Sequence, residues 1–411
     1  MRIAEIINSF DIGGGEVQLL EILRGLMRRH RLSVHALELR GPLLPRVRAL
    51  GLEPEGHPLG GSLVSRGALK AVGELARAFR RDRVQVVHAH DFYSSFVAVP
   101  AARLAGAGVV VGRLDLGHLQ TAAQRAVLAG LTHAADAVVA NCGAIFDLVI
   151  GDERVPPERV TLVRNGIDLA AFDAALEAPL SSPLPDLPGR PIAVIVANMR
   201  HEVKRQEDFL EAIAIARRER PDLAAFLVGE GERMDRLVAL ATRLGLEGHA
   251  FFLGRRPDVP AVLARASVGV LSSALEGLSN AVIESMAACL PMVVTDAGGN
   301  AELVRHGERG LVVPVAAPAA LAHAIVQILS DPARARAFGE AGRRFVEEEI
   351  TVERMVAEHE RLYQRVAAER PGIARSVARA GGGARKVASG GLGFLRHRAL
   401  ARGDRSMGDT R

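Results

Sequence analysis

The segment Ala274-Leu275-Glu276-Gly277-Leu278-Ser279-Asn280-Ala281-Val282-Ile283-Glu284-Ser285-Met286-Ala287 holds two glutamates eight positions apart. Gly277 marks a turn between them, and Ser279 or Asn280 suits the N-cap of a following helix. Glu284 then falls near the second turn of that helix, and Glu276 in the loop before it. The first amides of a helix lack intrahelical partners and carry partial positive charge, which suits a phosphate. Carboxylates beside such a turn accept hydrogen bonds from sugar hydroxyls, one from a ribose and one from a second sugar. Alone, the pair reads equally well as two solvated helix glutamates. A second phosphate-type feature is Gly13-Gly14-Gly15-Glu16, which follows an apolar run and opens a helix. Glycine lets backbone approach a phosphate closely. Gly13 and Gly15 match the first two positions of a dinucleotide fingerprint, with Glu38 as a ribose acid at the end of the second strand. The third glycine position is Gln18, so that match fails and a nicotinamide dehydrogenase is set aside.

These segments need a scaffold, and the chain pattern supplies one. Short apolar runs alternate with longer amphipathic ones, the signature of βαβ units. Strands are predicted at 3–7, 33–39, 84–88, 109–111, 137–140 and 160–163, with a helix over 16–29. The pattern restarts with strands at 192–197, 224–228, 251–253, 268–271 and 292–294. Between them, 174–190 is dense in proline, serine and glycine and reads as a linker. The expected domains are 1–173, 191–350, a return helix within 351–370, and a tail over 371–411. With 411 residues, 49% apolar and 24% charged, the chain suits two globular domains.

Composition narrows the function classes. There is no tryptophan and only two tyrosines, so stacking platforms for single-stranded nucleic acid are scarce and no nucleic-acid partner is expected. Cys142 and Cys289 lack metal-ligand spacing and cannot form a disulfide framework, which points to a reducing compartment. The N-terminus carries Arg2 and Glu5 and does not read as a signal peptide. No run of about 18 uncharged apolar residues is present. A cytoplasmic location is expected, with the inner membrane face as an option. The net charge of +5 sits in the tail: from Pro371 there are nine Lys/Arg and two Asp, leaving the rest near −2. The tail reads as a solvated terminus, with anionic lipid as the other reading.

Several further stretches, in order, resemble the GT4-type (group 1) retaining glycosyltransferases. The two glutamates look like the family's E-x7-E motif. Val194-Ile195-Val196-Ala197-Asn198-Met199-Arg200-His201-Glu202-Val203-Lys204 resembles its Arg…Lys diphosphate clamp. Phe226-Leu227-Val228-Gly229-Glu230-Gly231, Phe252-Leu253-Gly254-Arg255-Arg256-Pro257-Asp258-Val259, Leu290-Pro291-Met292-Val293-Val294-Thr295-Asp296-Ala297-Gly298-Gly299-Asn300 and Asn165-Gly166-Ile167-Asp168 resemble further family segments. The resemblance spans roughly 1–365 and implies a GT-B fold: two Rossmann-like domains facing across a cleft, with the last helix crossing back to the first.

The resemblance also assigns roles. Glu284 is expected on the ribose and Glu276 on the transferred sugar. Arg200 and Lys204, with the amides of Gly277, Leu278, Ser279 and Asn280, are expected on the diphosphate, and Gly14, Gly15 and Gly229 complete the donor site. Fixed cations stabilise a leaving diphosphate without a metal, and no D-x-D element demanding Mg²⁺ is seen, so no cofactor or metal is expected. On the acceptor side, His88 and His90 end a buried strand, and His90 is the better candidate. Relatives carry a histidine after the next strand. Here Leu114-Asp115 stands there and His118 follows, so both Asp115 and His118 are candidates. Cys289 replaces a usual glycine, and only a packing change is expected. The implied reaction moves a hexose from a nucleotide sugar, UDP-linked first with GDP and ADP open, to a glycan or lipid-linked glycan. A nucleotide-sugar epimerase and a non-catalytic scaffold are the alternatives. Lys70, Arg77, Arg80 and Arg81 read as a solvated face, with an anionic membrane as the second reading.

Overall fold

The computed structural model describes residues 1–61, 63, 65–117 and 120–369. Two parallel sheets form from the valine-, alanine- and isoleucine-rich runs, which are buried on both faces as parallel strands require. The first sheet contains β1 (Arg2–Ile7), β2 (Arg31–Ala36), β3 (Glu55–Gly56), β4 (Val86–Ala89), β5 (Gly108–Arg113), β6 (Ala137–Ala140) and β7 (Val160–Leu162), in the order β3-β2-β1-β4-β5-β6-β7. The second contains β8 (Ile192–Val196), β9 (Ala224–Val228), β10 (Ala250–Gly254), β11 (Val268–Leu271), β12 (Met292–Thr295) and β13 (Gly310–Val313), ordered β10-β9-β8-β11-β12-β13. Strand order reverses between β1 and β4 and between β8 and β11. In open α/β sheets the crevice beyond the strand ends at such a switch point is where ligands bind. The glycine loop follows β1, His90 follows β4, the Arg200–Lys204 loop follows β8, and the Glu276 loop follows β11.

One apolar cluster joins the two halves, running from Val138, Cys142 and Ile145 to Leu278, Val282 and Met286. The helix Pro332–Glu349 packs on the helix Asn280–Ala287. Thr351 then caps the helix Val352–Ala368, accepting from Arg354 N at 3.2 Å. Met355, Leu362, Tyr363 and Val366 of that helix enter the core of the first sheet with Ile3, Val86 and Val110. The return helix therefore crosses back to the first half.

Some elements differ from expectation. The second strand ends at Ala36, not Leu39. Glu38 lies beyond it, exposed and paired with Arg40, so it is no ribose ligand at a strand end. The two-residue β3 holds no apolar side chain to signal a strand, and β13 is a four-residue Gly-Leu-Val-Val run absent from the expected strands. The helix Leu169–Leu176, capped by Asp168, occupies the first residues of the expected linker. The proline-rich part is strapped down: Ser181 N donates to Asp258 Oδ2 at 2.6 Å, and Arg256 Nη2 to Ser182 O at 2.9 Å. Cys289 has φ +58°, a left-handed conformation, so replacing glycine there changes backbone strain as well as packing. The tail over 371–411 lies outside the described residues.

Candidate active site

A cleft of about 680 Å³ opens between the two sheets at their switch points. His90, Asp115, Gly14 and Gly15 line one wall. Arg200, Lys204, Gly229, Glu276, Glu284 and the Gly277–Asn280 turn line the other. The described candidates therefore share one cavity. His118 lies outside the described residues.

The second wall is built from loops leaving β8 and β11. Lys204 ends a single 3-10 turn, Glu202–Lys204, and Arg205 leaves it in the left-handed region at φ 48°. Ser272, just after β11, holds this turn by donating to the carbonyls of Lys204 at 3.0 Å and Arg205 at 2.9 Å. Ala274 N donates to Val203 O at 2.7 Å. These bonds bring Lys204 Nζ to 2.5 Å from Glu276 Oε1, which also accepts from Ser273 Oγ at 2.5 Å. Glu276 is buried, and this cation and hydroxyl hold it in the cleft wall. Arg200 is exposed in the same cleft, and its guanidinium has no partner among the described residues.

Ser279 caps the helix Asn280–Ala287, its hydroxyl accepting from Val282 N at 3.4 Å. Glu284 sits one turn in. Its carboxylate has no hydrogen-bond partner among the described residues, and burial pushes its pKa up to about 7. A carboxylate with no protein donor beside a helix N-terminus is suited to accept bonds from a ligand. Gly277 has to be glycine: a Cβ there would stand 2.2 Å from Leu114 O on the opposite half. Gly298 has φ +55°, and a Cβ on it would meet Glu276 O at 1.8 Å. The Gly298-Gly299 pair thus lets a neighbouring loop close behind Glu276, and Gly299 N donates to Gly277 O at 3.1 Å.

The first wall begins with the helix Gly14–Leu26, whose opening glycines face the Gly277–Asn280 turn. Asn280 Nδ2 donates to Gly14 O at 3.3 Å, and Asn280 Oδ1 accepts from Asn165 Nδ2 at 2.7 Å. Asn165 Nδ2 also reaches Leu278 O at 3.2 Å. Gln18 exchanges two bonds with the backbone of Gly166, at 3.1 and 2.8 Å. The sequence points to the backbone amide of Asn280; the structure makes its side chain the centre of a clasp across the cleft. A second clasp is Glu302, which accepts from Gly143 N at 2.7 Å and from Arg164 Nη2 at 2.6 Å. Gln18, Asn165, Arg164 and Glu302 carry no spacing signal of this role. The one hint is Gln18 standing where a fingerprint needs glycine.

Asp115 is exposed at the rim, and one of its oxygens accepts from Gly117 N at 2.6 Å. His90 is buried in the wall, with Nε2 2.7 Å from Glu5 Oε2. Glu16 lines the cleft too. Burial, followed by the charges of Asp91 and Asp11, raises its carboxyl, although the sequence alone gives it no role.

Known proteins with similar sequences and folds bear on this geometry directly. The family model described as Glycosyl transferases group 1 matches residues 183–345, and the one described as Glycosyltransferase Family 4 matches 12–171. The chain belongs to the GT4-type group 1 glycosyltransferases. The two matches fall on the two sheets, so this GT4-type chain carries both halves of the family. It is 27% identical over 399 residues to alpha-maltose-1-phosphate synthase of Mycolicibacterium smegmatis, covering 90% of the chain and 100% of that protein. It is 32% identical over 199 residues to the lipopolysaccharide core biosynthesis mannosyltransferase LpcC of Rhizobium leguminosarum bv. viciae, covering 47% of the chain and 56% of LpcC. The chain spans less than half the length of two other curated relatives it matches. The crystal structure of HepE from Anabaena, in complex with UDP and glucose, superposes with a TM-score of 0.78 at 21% identity, over 90% of the chain and 100% of HepE. The fold is GT-B.

Proposed function

We propose that this GT4-type chain is a retaining glycosyltransferase that moves a hexose from a nucleotide-diphosphate sugar to a glycan or lipid-linked glycan, in the synthesis of a cell-surface polysaccharide or glycolipid. The observation that carries this reading is one cleft wall holding the unpaired Arg200, the Lys204–Glu276 pair, a capped helix N-terminus and the unpaired Glu284. That set matches a nucleoside diphosphate sugar group by group. The ribose diol donates to Glu284. The diphosphate lies against the turn amides, Arg200 and Lys204, with the Gly14–Gly15 backbone approaching from the other half. The transferred sugar donates to Glu276. UDP is the first nucleotide to test, since UDP is present in the HepE structure.

As the glycosidic bond breaks, negative charge grows on the leaving diphosphate. Arg200 and Lys204 are fixed cations that stabilise it without reorganisation, so no metal is required. The arrangement offers no clear enzymic nucleophile. A front-face displacement, in which the leaving phosphate takes the acceptor hydroxyl proton, is the simplest retaining path. His90 and Asp115 line the acceptor side. Among the described residues no helix is long and apolar enough to cross a membrane. The helix Arg66–Arg81 exposes Leu69, at 76%, beside Lys70 and Arg77, a face compatible with anionic lipid holding the acceptor. The test is incubation with UDP-, GDP- and ADP-sugars and glycan acceptors, with product anomers read by NMR. A retained anomer is expected. An inverted anomer, or sugar release and epimerisation without transfer, would reject the reading.

A further inference from the structure

Glu5 lies in the middle of the first sheet with no exposed surface, a costly place for a carboxylate unless every lone pair is used. Register explains its neighbours. Glu5 is the cross-strand partner of His88 on β4, and His90 lies two residues further along, so all three side chains share one face. The return helix covers that face and adds Tyr363, which is fully buried. Tyr363 Oη donates to Glu5 Oε1 at 3.1 Å. His90 Nε2 stands 2.7 Å from Glu5 Oε2, and His88 Nδ1 stands 2.6 Å from Tyr363 Oη.

The protons of this cluster follow from counting donors. Burial alone would raise the Glu5 carboxyl, but the hydrogen bonds from His88 and His90 outweigh it and hold the group well below the usual range. An ionised Glu5 only accepts, so His90 must carry its proton on Nε2. Tyr363 has one hydroxyl proton and gives it to Glu5, so its oxygen accepts from His88 Nδ1–H at 2.6 Å, a proton that also lies toward Glu5 Oε2, 3.4 Å from His88 Nδ1. His88 Nε2 is then a bare lone pair, and it is buried without a partner among the described residues. Burial lowers His88 to about 3, so it stays neutral. His359 packs beside it and gives its own Nδ1 bond to Met355 O at 2.9 Å. The polar atom of the cluster left on the cleft side is His90 Nδ1. It has no partner among the described residues, and His90 lines the cleft near Asp91 and Glu16.

We propose that Glu5 and Tyr363 are positioning residues that hold His90 as its Nε2–H tautomer, leaving Nδ1 to accept a hydrogen bond from a hydroxyl of the sugar acceptor. The assignment deepens the acceptor-side reading above and rests on it. It also gives the return helix a part in the site, because Tyr363 reaches Glu5 from 358 residues further along the chain.

The test uses the full chain labelled with 15N-histidine and long-range 1H–15N NMR, with His90→Gln assigning the His90 signals. In the wild type, His90 Nδ1 should be unprotonated and Nε2 protonated. Glu5→Gln presents an amide NH₂ that donates to Nε2, which should move His90 toward the Nδ1–H form. Tyr363→Phe, the milder change, should mix the tautomers. Both variants should lower kcat/KM for the acceptor by about tenfold or more, while the Kd for UDP stays within about twofold. An Nδ1–H wild-type His90, an unmoved tautomer in Tyr363→Phe, or zinc bound stoichiometrically by Glu5 and the two histidines would overturn the proposal. Failure of the wild type to bind UDP would instead strike the donor-site reading and leave the tautomer result standing.

Discussion

Replacing Glu284 with Gln separates the cost of keeping a carboxylate in the cleft from the use made of it. Burial without a protein donor moves the Glu284 carboxyl from 4.5 to about 7. The unfolded chain gives up this proton near 4.5, and the folded chain keeps it until about 7. Between those values the folded state binds more protons, so stability falls as pH rises through the window. The full move corresponds to about 3 kcal/mol, an upper bound because the side chain is only partly covered. Gln has the same shape without the charge. Glu284→Gln should therefore match the wild type near pH 4.5 and exceed it by up to about 3 kcal/mol at pH 8, read from urea unfolding of the ligand-free protein. The same variant should bind nucleoside diphosphate about 10- to 100-fold more weakly at pH 8, because hydrogen bonds from the ribose to a charged acceptor are lost. Stability unchanged between the two pH values, or a variant less stable than wild type at pH 8, would show that Glu284 is not held unpaired in the cleft.

Lys204→Ala removes the cation proposed to hold the diphosphate and leaves buried Glu276 without its cation. Initial rates should fall by about 100-fold or more, and wild-type rates would contradict the clamp. Asn280→Ala cuts the bonds to Gly14 and Asn165. The ligand-free protein should lose about 1–2 kcal/mol and show a larger radius of gyration in X-ray scattering, whereas an unchanged radius would argue against a clasp. Cys289→Gly relieves a left-handed residue and should raise the melting temperature by an amount equivalent to about 1 kcal/mol, while Cys289→Val should lower it.

The parts of the site legible in the sequence are those made within a few residues. Glu276, Ser279 and Glu284 are spaced by one turn and one helix, so their positions follow from local rules. Arg200 and Lys204 sit in the loop after β8 for the same reason. The clasps are different. Gln18 meets Gly166 across 148 residues, and Asn280 meets Gly14 across 266. No periodicity encodes a pairing of that range; it is set by how two sheets close on each other. Glu5 reads in the sequence only as a charge that interrupts a signal peptide. Its partners come from a neighbouring strand and from the return helix, and neither is visible until the sheet order is known. The strands follow the apolar runs well, but Leu37 and Leu39 extend the β2 signal past the point where the backbone turns. That three-residue shortfall is the reason Glu38 looks like a ribose acid in the sequence. At Cys289 the side-chain volume is readable and the backbone angle is not.

The proposed chemistry depends above all on a nucleoside diphosphate held by Arg200, Lys204, Glu284 and the Gly277–Asn280 turn. Calorimetric titration of the protein with UDP, GDP and ADP in EDTA, beside Glu284→Gln, probes that donor site without any acceptor. Metal-free saturable binding of one nucleotide, weakened in the variant, is the expected outcome. Absence of binding by all three, or equal binding by wild type and variant, would contradict it.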